Sequence, residues 1–380
     1  MVKPTADFDG MWQEFVAPHL QSGSIPIGNG QTISQAIRAQ TVELSGRINI
    51  SSNGAANMAD SSGLIIAEHL VVSERTVVRG NVPLWIFARS VSGPLLEINV
   101  SGEDGPDGQN GAPGAAGTSG ANGTGGGNGS DASLTSSSSS GGAGGSGGSG
   151  GNGGNGAQGG DGEPGTDGKQ LELYAERYAS YTGVIVNARG GRGGHGGLGG
   201  NGGNGGSAGN GGRGGEGGDA YLVNDASRGG DGGNGGNGAN GGRGGDVVIY
   251  NVEDGPGYIS ASVDGGPGGP GGNPGGNGGG GGAGLGAPGG AGGDGGTWHD
   301  DDPYGGGGIP GQNGNPGNPG MNAGAQGLDG AKGSIAYRDI GKIDVVGFSN
   351  AIARFLPGGA LTAALEKGGL IRFRLGSLRD

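Results

Sequence analysis

The alternation of apolar and polar residues predicts β-strands over residues 31–101. Short runs rich in Val, Ile and Leu recur about every ten residues, separated by Gly, Ser and Asn, as in strands joined by turns. The predicted strands are residues 41–50, 64–72, 76–78, 82–88 and 95–100. This spacing fits a small sandwich or a β-solenoid. We expect a compact β-domain here, which forms a solenoid-like base for the rest of the chain.

Between Gly102 and Gly333 the pattern changes to glycine at every third position, often as Gly-Gly-X. Residues 190–219 keep this period without a slip. A period of three matches a left-handed helix of the polyproline II type, not an α-helix or a β-strand. In such a Gly-Gly-X helix two side-chain columns are empty, so neighbouring helices can bond through their backbones. We therefore predict a bundle of antiparallel polyglycine II helices over residues 102–333, with the X side chains facing solvent.

Short apolar segments interrupt the glycine pattern. Residues 171–176 with 183–188, and residues 247–250 with 258–263, are predicted to form two β-hairpins, because turn residues separate the members of each pair. Single strands are predicted at residues 220–223 and 334–337. The resulting repeat is a strand, an outgoing glycine helix, a loop, a returning glycine helix and a strand. The predicted fold class is mainly β plus polyglycine II.

The two ends of the chain have ordinary composition. Residues 1–30 form a leader with one or two predicted helical turns, and residues 334–380 contain two helix-like segments and a final strand-like segment. We expect both ends to mediate self-assembly into a homo-oligomer or filament. The residues predicted to do so are Trp12, Phe15, Phe348, Phe355, Arg372 and Arg374.

Composition narrows the alternatives. Glycine supplies 110 of 380 residues and proline only 18, which is too little proline for a typical collagen triple helix. A disordered linker would not need so strict a period. The net charge of −13 argues against a nucleic-acid partner, and no apolar segment is long enough to span a membrane. The N-terminus lacks an apolar signal core, so an extracellular location would require another export route or a virion.

The sequence contains no pattern typical of an enzyme or of a cofactor site. There is no cysteine, and the four histidines are not at metal-ligand spacing from one another. Two stretches, residues 214–222 and 241–249, fit the calcium-binding nonapeptide, but isolated copies in so glycine-rich a chain favour coincidence. An acidic loop is a second weak cation candidate. The weak metal candidates are Asp219, Asp246, Asp300, Asp301 and Asp302.

Two predicted loops carry candidate receptor contacts. The serine-rich loop 130–140 contains Leu134, and the loop 297–308 places Trp298 and Tyr304 beside Asp301. Loop tips on a rigid scaffold are common binding sites, and exposed aromatic residues are common anchors. A surface receptor or a polysaccharide is the expected ligand class, and local packing of the two aromatic residues is the alternative.

The glycine body resembles two known groups of proteins. Residues 82–87 and 96–100 lead into it much as in the tail-fibre tip adhesins of T-even-like phages, a resemblance that implies receptor binding by the distal loops. The triplets that begin Gly102-Glu103-Asp104-Gly105 are similar to bacterial glycine-rich, collagen-like surface proteins. We expect a non-enzymatic structural subunit of an extracellular, cell-surface or virion fibre. The alternatives are a fibre-tip adhesin and an ice-binding protein, because snow-flea-type antifreeze proteins share the bundle idea.

Overall fold

The computed structural model describes residues 12–34, 36–51, 63–80, 82–125, 145–210, 228, 230–251, 256–276, 279 and 313–339. A short π-helix (Trp12–Val16) and a 3₁₀ turn (Ala17–His19) precede the strands. The strands are β1 (Gln21–Ile27), β2 (Thr32–Ile33), β3 (Ile37–Leu44), β4 (Arg47–Ile50), β5 (Gly63–Val72), β6 (Thr76–Gly80), β7 (Leu84–Ser92), β8 (Leu95–Asn99), β9 (Leu171–Tyr178), β10 (Gly183–Asn187), β11 (Val247–Asn251), β12 (Tyr258–Ser262) and β13 (Ile335–Asp339).

Successive strands alternate between two parallel sheets. The odd-numbered strands form a seven-stranded sheet in the order β1-β3-β5-β7-β9-β11-β13, and the even-numbered strands form a six-stranded sheet in the order β12-β10-β8-β6-β4-β2. Each turn of the chain therefore adds one strand to each sheet. Short turns make the crossing at one end, where Gly46 and Gly93 have φ angles of 68° and 120° that only glycine adopts readily.

The main core lies between the sheets. It is built from the inward-facing residues of each strand, which form columns such as Ile48, Val78, Ile98 and Val186 along the six-stranded sheet. All four of these side chains are fully buried. A column of this kind forms because parallel strands in register place equivalent side chains directly above one another.

A second apolar cluster covers the outer face of the seven-stranded sheet. Phe87, Tyr174 and Tyr250 stack with ring centroids 4.6 and 4.0 Å apart, and Trp12 of the π-helix is buried against this cluster. Burial raises the pKa of Tyr174, and its hydroxyl donates a hydrogen bond to Glu172 at 2.7 Å. The central strands are therefore apolar on both faces, which explains the almost continuous apolar runs of β5 and β7.

Six glycine-rich segments extend from the last turns of the two sheets. Segments I (101–125), III (188–210) and V (263–276) leave β8, β10 and β12, while segments II (145–170), IV (230–246) and VI (313–334) lead into β9, β11 and β13. Segments I, III and V bond to one another in parallel, and so do II, IV and VI. Bonds between the two groups are antiparallel. We call this two-layered assembly the glycine stack.

The fold class predicted from the sequence is wrong. The described secondary structure is two purely parallel sheets, and the glycine-rich segments do not form the predicted polyglycine II bundle of antiparallel left-handed helices. The sheets are also not confined to residues 31–101, because β9 to β13 continue them through residue 339. Each layer of the glycine stack instead continues the strand order of one sheet, through backbone hydrogen bonds that repeat every third residue.

The two predicted hairpins are likewise wrong. β9 and β10 belong to different sheets, and so do β11 and β12. Within the seven-stranded sheet β11 pairs in parallel with β9, and within the six-stranded sheet β12 pairs in parallel with β10. The turn residues between the members of each pair carry the chain across from one sheet to the other, and this crossing places the glycine segments in two layers.

Candidate functional site: the glycine stack

The number of glycines in each triplet follows the position of the segment in the stack. Segments I and VI lie at the edges and bond to two neighbours each, whereas the central segments III and IV bond to four. In segments III and IV a Cβ atom on almost any glycine of either row would lie closer than 3.0 Å to a neighbouring backbone. In segments I and VI only one glycine per triplet is so enclosed. The collagen-like Gly-X-Y triplets of segment I are thus the signature of an edge.

Segment II has one closed row and one looser row of glycines. The closed row is Gly147, Gly150, Gly153, Gly156, Gly159, Gly162, Gly165 and Gly168, where an added Cβ would collide with backbone atoms of segment III. In the looser row an added Cβ at Gly160 would meet the amide nitrogen of Gln109 at 3.1 Å. Ala157, Glu163 and Thr166 occupy this row in the natural sequence. Close approach of neighbouring backbones therefore explains where glycine is required in this segment.

Asparagine and aspartate side chains form a second set of lateral bonds. Their Oδ1 atoms accept hydrogen bonds of 2.6–3.2 Å from backbone N–H groups of the next segment in the same layer. We call these residues the Asx ladder. Its members are Asp104, Asp107, Asn110, Asn122, Asn155, Asp161, Asp167, Asn201, Asn204, Asp231, Asn234, Asn237 and Asn240.

The Asx ladder corrects the expectation that the X side chains only face solvent. Glycine N–H groups bond to backbone carbonyls, whereas many X residues have an N–H that no carbonyl reaches. A side-chain oxygen from the preceding segment accepts that bond, as Asp161 does for Asn237 at 2.6 Å. The sequence signal was the frequency of Asn and Asp at the X positions. We had read it as simple polarity.

Asn237 provides a test of the ladder, because it bonds on both sides. Its N–H donates to Asp161, and its Oδ1 accepts from the N–H of Ala325 at 2.9 Å. We expect Asn237→Ala to lower the free energy of unfolding by about 1 kcal/mol, the usual net value of one hydrogen bond. Asn237→Asp keeps the acceptor and serves as the control. Amide exchange at Ala325 should accelerate in the alanine variant alone, and equal exchange in both variants would contradict the role.

A one-residue slip in segment VI is absorbed without breaking the ladder. The N–H of Gly232 bonds to the carbonyl of Asn318, but that of Gly235 bonds to the carbonyl of Asn322, one residue beyond the regular triplet. Asn234 accepts 3.2 Å hydrogen bonds from both Met321 and Asn322. A flexible side chain thus bridges the extra residue at an edge segment, where the backbone has room to bulge.

Asp246, a weak calcium candidate, makes protein contacts on both carboxylate oxygens. Oδ1 accepts from the backbone N–H of Ser334 at 2.9 Å and from its hydroxyl at 2.7 Å, and Arg243 reaches both oxygens at 3.0 and 3.1 Å. The hydroxyl of Ser334 is the main reason why the pKa of Asp246 is lowered. In this arrangement the carboxylate joins segments IV and VI at the point where both meet their strands.

The Ser334 contact predicts a pH effect. Because the folded-state pKa of Asp246 is lowered, its contribution to stability is present above its unfolded-state pKa and is lost as the pH falls through the folded-state pKa. We expect Ser334→Ala to raise the pKa of Asp246 in an NMR titration. The pKa of Asp264, lowered chiefly by Lys332, should stay unchanged and serves as the internal control. An unshifted Asp246 would rule out this assignment.

All three connections between outgoing and returning segments leave the stack at the same end, remote from the sheets. Gly145 bonds to Thr124, Gly123 bonds to Asn210 and Gly205 bonds to Gly279, so the described ends of these segments lie side by side. The connections themselves span residues 126–144, 211–229 and 280–312. We call this end of the stack the distal end.

Most residues predicted to contact a receptor, bind a metal or mediate assembly lie outside the described part of the chain. These are Leu134, Asp219, Trp298, Asp300, Asp301, Asp302, Tyr304, Phe348, Phe355, Arg372 and Arg374. Phe15 belongs to the π-helix, whereas Trp12 is fully buried within the chain's own outer cluster. The predictions for Leu134, Trp298, Asp301 and Tyr304 concern connections that depart from the distal end.

Within the described ranges, no group of three or more His, Cys, Asp or Glu side chains is arranged to hold a metal ion. None of the described helices is long and apolar enough to cross a membrane.

Comparison with known proteins identifies no relative. No protein-family model matches the chain, and neither curated proteins nor solved structures include a significant match to it.

Proposed function

We propose that this protein is a non-enzymatic structural subunit of an extracellular or surface fibre, in which the glycine stack acts as a rigid spacer. The observation that carries this proposal is the unbroken lateral bonding of the stack. Each glycine segment is tied to at least two others at every third residue, and the Asx ladder adds side-chain bonds within each layer. A cross-linked body of this kind resists bending without needing an apolar core.

The distal end favours a second candidate, a receptor-binding adhesin at the tip of a fibre. A rigid scaffold that brings three long connections to one end resembles other proteins that present binding loops. The predicted contacts Leu134, Trp298, Asp301 and Tyr304 belong to two of these connections. An exposed surface receptor or polysaccharide is the ligand class that such loops would engage.

Electron microscopy and loop deletion separate the two candidates. We expect the purified full chain to form regular filaments if it is a fibre subunit, and deletion of residues 130–140 and 297–308 to leave filament formation unchanged. Discrete particles that bind a polysaccharide array, and lose that binding on deletion, would favour the adhesin. Discrete particles whose array binding survives deletion would contradict both. A thermal hysteresis gap would instead support the ice-binding alternative.

A further inference from the structure

The last turn of the two sheets is open on its inner side. Ile335 and Tyr337 of β13 lie in register with Val247 and Ile249 of β11, whose side chains are buried in the core. Yet Ile335 is 36% exposed and Tyr337 is 54% exposed. The cause is that the seven-stranded sheet has one strand more than the six-stranded sheet in the described part of the chain. The inner face of β13 therefore lacks an opposing strand.

The neighbouring edge of the six-stranded sheet is also incomplete. Ile259 and Ala261 of β12 lie in register with Val184 and Val186 of β10, which are fully buried. Ile259 and Ala261 are only partly buried. Together, the free edge of β12 and the inner face of β13 form an apolar step one strand wide. We call it the terminal step.

The terminal step fits an extended strand of defined pattern. Such a strand would run parallel to β12 and place an apolar side chain inward at every second residue. β8, β10 and β12 all have this form, with inward residues at their second and fourth positions, as in Val184 and Val186 of β10. Residues 342–346, Lys-Ile-Asp-Val-Val, have the same pattern, with Ile343 and Val345 at the second and fourth positions.

The path of the chain leads these residues to the step. β13 ends at Asp339, at the end where every earlier strand of the seven-stranded sheet crosses to the other sheet. Those crossings range from residues 45–46, the shortest, to residues 252–257, the longest. Residues 340–341 match the shortest of them.

The opposite end of the sheets is poorly suited to fill the step from a second copy. β1 carries Pro26 and a register shift beside Gly23, and β2 is only Thr32–Ile33. Proline, irregular register and short strands are devices that prevent edge pairing. A second copy stacked by its first turn would also leave the missing place in the six-stranded sheet empty, because β1 belongs to the seven-stranded sheet.

We propose that residues 342–346 of the same chain occupy the terminal step as a parallel neighbour of β12. Ile343 then lies beside Ile259 and Val345 beside Ala261, and both cover Ile335 and Tyr337. Occupation of the step closes the core without a second copy.

Engineered cysteines test this register, because the chain has no cysteine of its own. Ser260 faces outward, in register with the outward Ile185, and the proposal sets Asp344 directly beside it. Neighbouring strands are about 4.8 Å apart, within reach of a disulfide, whereas a pair two residues out of register is separated by about 8 Å. We expect Ser260→Cys with Asp344→Cys to form an intrachain disulfide in the full-length protein. Ser260→Cys with Lys342→Cys is the matched control and should form little.

The outcomes distinguish the occupants of the step. Disulfide-linked dimers would show that a second copy fills it, and equal yields from both pairs, or none from either, would exclude the proposed register. A second measurement uses the inward positions. Ile343→Asp should remove amide protection at residues 259–263 while leaving that of residues 64–72 intact, and unchanged protection at residues 259–263 would also overturn the proposal.

Discussion

Replacing Gly159 with alanine is expected to destabilise the protein by about 3 kcal/mol, at the upper end of the usual cost of overpacking. An added Cβ at this position would collide with the carbonyl of Gly197, and the colliding atoms belong to the backbone of a central segment. Segment III cannot retreat, because it is bonded to segments I, II, IV and V. The measurement is the free energy of unfolding in urea, together with amide exchange at Gly159 and Asn234.

Gly160→Ala is the matched control for this prediction. It lies next to Gly159 but belongs to the looser row, where Ala157 is already tolerated. The tight contact with Gln109 is offset by the lower entropy of the unfolded chain, which stabilises alanine by about 0.4–1 kcal/mol. We expect a net change within about 1 kcal/mol. Equal destabilisation by the two substitutions would show that general backbone entropy, and not close packing of neighbouring backbones, accounts for the glycine pattern.

Trp12→Ala is the second substitution with a large expected effect. Trp12 is fully buried and packs in one cluster with Phe87, Tyr174 and Tyr250. Removal of a buried Trp side chain costs about 3–5 kcal/mol, so we expect a loss of that size in the free energy of unfolding. The loss should be independent of protein concentration, because the contacts lie within one chain.

Trp12→Phe is the control, since it retains an aromatic ring and should restore much of the lost stability. The sequence assigned Trp12 to assembly between subunits. If that role dominates, Trp12→Ala would reduce the mass of the assembled particle and leave the unfolding of the isolated chain almost unchanged. Light scattering and urea unfolding on the same samples distinguish the two results.

The positions of the strands could be predicted from the sequence, but their pairing could not. Residues 64–72 and 95–100 were predicted as strands, and β5 and β8 lie there. Residues 41–50 were taken as one strand, although Ser45 and Gly46 divide them into β3 and β4 in different sheets. A turn of a few residues serves equally well for a hairpin and for a crossing between parallel sheets. The local pattern therefore could not reveal that β9 and β10 lie in different sheets.

The glycine period was recognised, but its structural meaning was not. The sequence correctly suggested that backbones approach one another where glycine recurs, because an added Cβ has no room at positions such as Gly196 and Gly197. The difference between Gly-X-Y and Gly-Gly-X triplets was taken for a rival collagen signal. It instead reflects how many neighbours each segment has, which depends on the order of the strands that precede it. That order is a property of the whole fold and cannot be inferred from a triplet.

The roles of Asn and Asp were missed for a related reason. Asn234 and Asn237 are polar residues in a polar stretch, and nothing local identifies the N–H that each of them accepts from. Their partners lie almost ninety residues away in the sequence. Only the register between segments IV and VI brings these groups together.

The absence of an apolar interior from the glycine stack has a thermal consequence. Heat capacity rises on unfolding when apolar surface becomes exposed and falls when polar surface does. Melting of the stack would expose mainly peptide groups, so its stability should change nearly linearly with temperature, whereas that of the two sheets should curve. Cooling weakens the sheets, which depend on apolar burial, more than the stack, which depends on amide bonds. In the cold, the projecting part of the molecule would outlast its base.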